Sequence, residues 1–533
     1  MITLSQLVEG LSDGYLAAQA AVITMLFVTG LLFTRASMSR ISGSEIWAML
    51  LAFPAGLAMF AVSGYMMLCL GIPFNTWSVM TAVLLETGVS LYIIYRRNRL
   101  VDINNNSLKA SGTEQRPDSS DVVDINGDKR IVFLYLTSFA VVFVIAFMLT
   151  ANPFKIVVDN DSFFYFSAYP NAIVSEGRYI RYFDVFLTDA APIGSIVQTL
   201  PYLFGFSETF GIQYFLDLDF ILIFLYALYS ELTDFMGKRE AVICSMAAVL
   251  FLITSSAYLT TAKWIMAGVY FMSYYFITAY IGYMFSKKQT TERAYVLLGM
   301  MIVMTSMLRH EGVMLSVVLI LTLSALAGYK GRELALSCIL PMLIASVLYY
   351  IRVFVILDVH PLYAFLTSEK AIFMVAVMLI CFIYLLFIRD RLPGRLITGT
   401  SVILPVVIIL ANMALFLLRG KRYLGNLYMF YLNLRIGAGW GYFGYIALFT
   451  VILLVIRAFI RKETYILFFD SLMVSYVFAV LLVAFGRGDS LRKGVGDSGN
   501  RVMLTAVPLI VFAIVLRVFI KPKDRGSSGQ VIR

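Results

Sequence analysis

Apolar runs of about 17 to 25 residues follow one another from end to end of the chain, each long enough to cross roughly 30 Å of hydrocarbon. Nothing else in the sequence narrows the choice of fold so far. A bilayer core holds no water to bond the backbone, so runs of this length must satisfy their own N–H and C=O groups as helices. Composition agrees: of 533 residues, 60% are apolar, 15% aromatic and only 14% charged, with mean hydropathy +0.86. An ordinary soluble domain carries about 25% charged residues. The expected fold class is all-α, a polytopic transmembrane helical bundle.

About fifteen crossings are expected on this criterion. They fall near residues 14–34, 46–70, 76–95, 131–150, 209–230, 240–260, 264–285, 294–308, 312–329, 333–356, 371–388, 396–418, 442–460, 464–486 and 502–520. The net charge of +10 is dispersed at helix ends rather than gathered in a patch, which argues against a nucleic-acid partner and yields an orientation. Arg96, Arg97, Arg99, Lys238, Arg239, Lys287, Lys288, Arg389, Arg391, Arg461 and Lys462 all fall on one side if the N-terminus is outside. Met1–Gly14 has no basic stretch of the kind that opens a cleavable signal. The expected location is therefore an integral, multi-pass protein of the plasma (cytoplasmic) membrane. The four cysteines, Cys69, Cys244, Cys338 and Cys381, lie inside apolar runs and read as small core residues.

Residues 1–95 form an N-terminal three-span module, a candidate docking site for a partner. Residues 96–130 are rich in Asn, Ser, Asp and Lys, too polar to bury a core, and read as a flexible cytoplasmic linker. Residues 131–533 form the main transmembrane core, with a long outer segment at 151–208. Within that segment Pro192–Gly205 is too short to span and reads as an interfacial or re-entrant helix.

Charges stand out against this background. Asp159 and Asp161 follow the fourth span and precede Phe163, Phe164 and Tyr165. Arg309, His310, Glu311 and Gly312 interrupt two unusually short apolar runs. Charged groups at such depth face a cavity or a partner. Two readings stay open for them: a short outer turn with Arg309 and Glu311 paired, or the wall of an outward cavity. Residues 419–435 and 487–501 carry outward basic groups, among them Arg422 and Arg501. These are either solvated loops or an anion site, for which the guanidinium fork suits phosphate. Asp217, Asp219 and Asp470 are weaker signals of the same kind. No phosphate-binding loop, dinucleotide fingerprint or nucleophile elbow is present, and two histidines are too few for a His-based zinc site.

Four stretches, in this order, resemble the GT-C superfamily of membrane glycosyltransferases, in particular the group related to protein O-mannosyltransferases and aminoarabinose transferases. They are Asp159–Tyr165, the proline-led Ala191–Gly205, the Arg309-His310-Glu311-Gly312 break, and Asn500-Arg501 leading to Pro508. The resemblance spans residues 131 to about 520 and implies a GT-C-like core. It departs from the simplest pattern in its Asp-x-Asp motif, its extra N-terminal spans and its lack of a large soluble domain at the C-terminus.

The resemblance implies transfer of a sugar from a polyprenyl-phosphate-linked donor to an extracytoplasmic acceptor, whether cell-surface glycan, lipid or protein. Asp159 or Asp161 would be the catalytic base, with Asp159 preferred because it lies nearer the span end. The other would orient the acceptor or, with its neighbour, hold Mg2+ or Mn2+. Arg309, Arg422 and Arg501 would bind the donor phosphate. His310, Glu311 and Tyr165 would contact substrate. Two other functions share many of these features: a glycan polymerase or ligase dominated by arginine, and a lipid or anion transporter or flippase. The transporter would need matched, broken repeats, which the sequence does not display.

Overall fold

The computed structural model describes residues 15–38, 44–110, 164–179, 187–188, 191–206, 212–255, 258, 261, 267–287, 292–360, 366–435, 440–460, 466–486, 498–519 and 531–532. The fold is a bundle of long helices. In chain order these are α1 (Tyr15–Met38), α2 (Ala52–Leu70), α3 (Thr76–Ala110), α4 (Ile212–Leu232), α5 (Lys238–Ile253), α6 (Ala267–Lys287), α7 (Glu292–Met307), α8 (Gly312–Ser324), α9 (Gly331–Ile356), α10 (Ser368–Arg391), α11 (Gly394–Arg435), α12 (Gly441–Ile460), α13 (Phe468–Gly486) and α14 (Ala506–Phe519). Nine helices among the described residues are long and apolar enough to cross a membrane. The protein is an integral, multi-pass membrane protein. The one strand pairing among these residues is a two-residue antiparallel match of Ile466 with Ile532 and Leu467 with Val531.

The core sits around α6. Every residue from Gly268 to Phe285 is buried, as expected of a helix with no water- or lipid-facing side. Its tyrosines hold its hydropathy down, and their hydroxyls find partners. Tyr274 donates to the carbonyl of Pro54 at 2.7 Å, Tyr275 to that of Leu315 at 3.1 Å, and Tyr280 to the carboxylate of Glu231 at 3.3 Å. α2 and the span Arg501–Phe519, which ends in α14, are also deeply buried, whereas α10 and α11 are largely exposed. The outer helices therefore present apolar faces such as Ile372, Phe373, Leu417 and Leu418 to lipid.

Residues 1–95 are joined to the rest through α2. Tyr65 donates to the carbonyl of Ala345 at 2.7 Å, and Ile196 packs on Gly64. α1 and α2 cross with their backbones nearly touching. A Cβ on Gly30 would lie 1.8 Å from the carbonyl oxygen of Ala52, and one on Gly56 would lie 1.8 Å from that of Leu26. Close approach through small residues is how membrane helices gain packing without a hydrophobic drive. Gly56→Ala is expected to cost about 1–3 kcal/mol by overpacking, read as a lower unfolding temperature in detergent. Gly399→Ala, whose methyl meets only Ile403 Cδ1 at 3.9 Å, should leave that temperature unchanged or raised.

Several expectations are revised. α3 runs unbroken to Ala110, so residues 96–110 of the expected linker are helical. The expected span at 131–150 lies outside the described residues. Pro192–Gly205 is buried from Pro192 to Leu203 and broken in two, Pro192–Val197 and Leu200–Leu203, at Gln198 and Thr199. Residues 419–435 are helix rather than loop. α11 breaks at Arg419 (φ −139°, ψ 42°) and resumes. There Tyr423 donates to Asn412 Oδ1 at 2.9 Å. Eleven residues of straight helix would separate the two by about 16 Å, so the second half of α11 folds back on the first.

One end of the bundle is sealed by charge pairs. Lys287 meets Glu231 at 2.6 Å, and Arg517 meets Asp470 at 2.6 Å. Buried Arg389 donates to the carbonyls of Ser324, Leu326 and Tyr329 and to Asp390. Tyr283 stacks on Phe468, joining these sets. Lys287 and Arg389, two of the basic positions that set the expected orientation, lie at this end.

Candidate functional site

Arg309, Glu311 and Arg501 lie away from that end. α7 and α8 have 16 and 13 residues, about 24 and 20 Å, too short to reach both faces of the bilayer. Their junction is therefore recessed. Leu315, one turn into α8, is level with Tyr275, which lies about 12 Å along α6 from its start at Ala267. The tight turn needs Gly312. A Cβ there would fall 2.8 Å from the carbonyl oxygen of Ser306 and 2.9 Å from that of Thr305.

At this junction Arg309 donates through Nε to Glu311 Oε1 at 2.6 Å, and its Nη2 lies 2.5 Å from the same oxygen. Their side chains are 11% and 5% exposed. The turn and the pairing foreseen in one reading are both present, but the pair is buried rather than displayed on an outer loop. Glu311 occupies one edge of the guanidinium. Among the described residues no hydrogen bond takes up the remaining Nη donors. A cation so held, at low local dielectric, favours an anion far more than a solvated one does.

A run of contacts leads from this pair to the outer segment. Tyr476 of α13 lies within Coulombic reach of both Arg309 and Glu311. Its ring is 4.8 Å from that of Tyr275, and its hydroxyl donates to the carbonyl of Val502 at 2.7 Å. Beside Val502 is Arg501, whose Cβ lies 3.4 Å from where a Cβ on Gly268 would sit. Beside Gly268, in turn, Ala267 packs with Tyr165, Phe166 and Tyr214. The carbonyl of Tyr165 accepts a hydrogen bond from Ser195 at 2.7 Å, and Phe166 lies against Gly194. Arg309, Glu311, Arg501 and Tyr165, far apart in sequence, are thus brought to one end of the bundle.

Asp159 and Asp161 lie outside the described residues; the chain reaches Tyr165 four residues beyond Asp161. His310 turns from its neighbours toward Tyr349, at 6.2 Å between ring centroids. Arg422 donates to the carbonyl of Phe485 at 3.0 Å and lies over its ring at 4.7 Å. Phe485 is about 14 Å along α13 from Tyr476, farther from the Arg517–Asp470 pair. Among the described residues no group of three or more His, Cys, Asp and Glu side chains is placed to hold a metal ion.

No known protein family matches the chain, and no curated protein sequence matches it. Among solved structures it is similar to the archaeal oligosaccharyltransferase AglB from Archaeoglobus fulgidus, determined in complex with an inhibitory peptide and a dolichol-phosphate. Identity is 14% and the TM-score 0.40, over 73% of this chain and 50% of that one. The chain thus spans about half the length of that protein. Similarity at this level does not set an activity, and the functional reading rests on the chain's own residues.

Sequence reasoning passed over Tyr476 and Gln198 and gave Asp217 little weight. Tyr476 sits in an apolar run with nothing to mark it. Gln198 did carry a signal, as the amide within the otherwise apolar, twice-proline-broken segment Pro192–Gly205.

Proposed function

We propose that this protein is a glycosyltransferase that takes a sugar from a polyprenyl-phosphate-linked donor and passes it to an acceptor outside the cytoplasm. One observation carries the reading: a run of neighbouring contacts links Arg309, Arg501 and Tyr165, which follows Asp159 and Asp161 in the sequence, on the side of the bundle away from the Lys287–Glu231 and Arg517–Asp470 pairs. A membrane-surface transfer needs cations for a leaving phosphate and carboxylates for a nucleophile, and Asp159 and Asp161 precede Tyr165 by six and four residues in the sequence. The order of the four sequence stretches supports the same reading.

In this mechanism the acceptor's hydroxyl or amine attacks the anomeric carbon. The bond from that carbon to the phosphate oxygen breaks, and Asp159 or Asp161 takes the acceptor's proton. Arg309, held by Glu311, and Arg501 offset the charge that gathers on the leaving phosphate. Mg2+ or Mn2+ at Asp159 and Asp161 would screen two like charges one residue apart, and oxygen ligands suit either ion. No step is assigned to it.

The test is transfer by the purified protein in nanodiscs. Polyprenyl phosphates bearing glucose, mannose, galactose or arabinose are supplied with envelope lipid, glycan or peptide acceptors, and products are read by mass spectrometry. A glycosylated acceptor with matching release of polyprenyl phosphate is expected. Movement of the lipid between leaflets with no product would replace the transferase by a flippase.

A further inference from the structure

A second group of polar atoms lies beneath Tyr165 and Phe166, and none of the roles above uses it. Asp217 is on α4, one turn beyond Tyr214 and on the same face. It is 1% exposed, and among the described residues neither of its carboxylate oxygens has a hydrogen-bond partner. Gln198, at the break between the two short helices, is fully buried. Its Nε2 donates to the Tyr270 hydroxyl at 2.7 Å, while its Oε1 has no partner among the described residues. The Tyr258 hydroxyl is likewise buried and unpartnered. Tyr214, Tyr258 and Tyr270 each lie within Coulombic reach of Asp217.

Such a group is costly to keep. A buried polar atom without a partner costs about 1–3 kcal/mol, and a carboxyl costs more. Four such atoms from three separate segments converge here, which is not how a bundle settles a stray polar residue. The set calls for a ligand that supplies several hydrogen-bond donors at once. It is the wrong chemistry for phosphate, because it offers a carboxyl and no described cation. It is the right chemistry for the hydroxyls of a sugar ring. A carboxyl can accept from two neighbouring hydroxyls, an amide oxygen from a third, and a tyrosine hydroxyl can donate to a ring substituent. Tyrosine rings also offer flat apolar faces to the ring's C–H side. The position fits as well. Ala267 packs with Tyr214, one turn from Asp217 on α4, and its neighbour Gly268 packs on Arg501. A phosphate near Arg501 would thus present its sugar toward Asp217.

We infer that Asp217, Gln198, Tyr258 and Tyr270 form the subsite that binds the hydroxyl groups of the transferred sugar. This rests on the transferase reading and deepens it. The subsite selects the sugar, while the arginines hold the phosphate whatever sugar it bears.

Equilibrium binding to the full chain in nanodiscs tests this apart from catalysis. The probes are bare polyprenyl phosphate and polyprenyl phosphate bearing glucose, mannose, galactose or arabinose. The wild-type protein should bind one sugar-bearing lipid more tightly than the bare lipid. Asp217→Asn and Gln198→Leu should weaken that lipid about ten- to hundred-fold and leave the bare lipid unchanged. Asp217→Leu should lose sugar selection while its unfolding temperature stays level or rises, because a buried unpartnered carboxyl has been removed. The inference is overturned if no sugar improves on the bare lipid in the wild type, or if Asp217→Asn binds every probe as the wild type does. Equal weakening of bare and sugar-bearing lipids would also overturn it, by making Asp217 structural. The transferase reading fails separately: a protein that selects a sugar but yields no product with any acceptor keeps the subsite and loses the reaction.

Discussion

Asp159→Asn and Asp161→Asn, made singly, are expected to lower sugar transfer about 10²–10⁴-fold for whichever carboxylate takes the acceptor's proton. Asn keeps the size and the hydrogen-bonding carbonyl but cannot accept a proton, so loss should fall on turnover more than on donor binding. Asp159, nearer the end of the preceding apolar run, should show the larger effect. The other variant should be weaker in acceptor binding or in response to added Mg2+ or Mn2+. Membrane insertion and helical content should be unchanged, since neither change adds or removes an apolar residue. The measurement is single-turnover transfer from a preloaded lipid donor, with donor affinity read in parallel. Full activity in both variants would remove the base from this motif and shift the work to the arginines, as in a polymerase or ligase.

How far the sequence speaks depends on the range of the interaction. Helices such as α2, α4, α9 and α10 were legible because each apolar run forces a local answer: a backbone in hydrocarbon bonds to itself. The Arg309–Glu311 break was legible for the converse reason, that charge at that depth has few explanations. Residues 419–435 misled because their charge imitates a solvated loop. In the fold, Arg422 and Tyr423 find Phe485 and Asn412, and those contacts let the helix resume after Arg419. Burial order was not legible either. The tyrosines of α6 make it look less apolar than α10, yet α6 is the center of the bundle because their hydroxyls are satisfied by Pro54, Leu315 and Glu231. The group around Asp217 was least legible of all. Its members come from separate elements, each holding one polar residue among apolar ones, and only tertiary packing brings them together.

The Arg309–Glu311 pair allows stability and activity to be separated. Removing either partner alone leaves the other's charge buried without compensation, which is expected to cost about 3–5 kcal/mol. Arg309→Met and Glu311→Leu should each lower the unfolding temperature and transfer together. The double variant leaves no charge behind. Well-packed apolar residues often replace a buried ion pair at little or no cost, so its unfolding temperature should return toward that of the wild-type protein. Transfer should not return, because the cation proposed to face the leaving phosphate is gone; a loss of about 10²–10³-fold is expected from removing one such group. Arg309→Lys keeps the charge but not the fork that holds Glu311 and phosphate together, and should fall between. If the double variant recovers transfer along with stability, the pair is a packing device and the phosphate must be held by Arg501 and its neighbours alone.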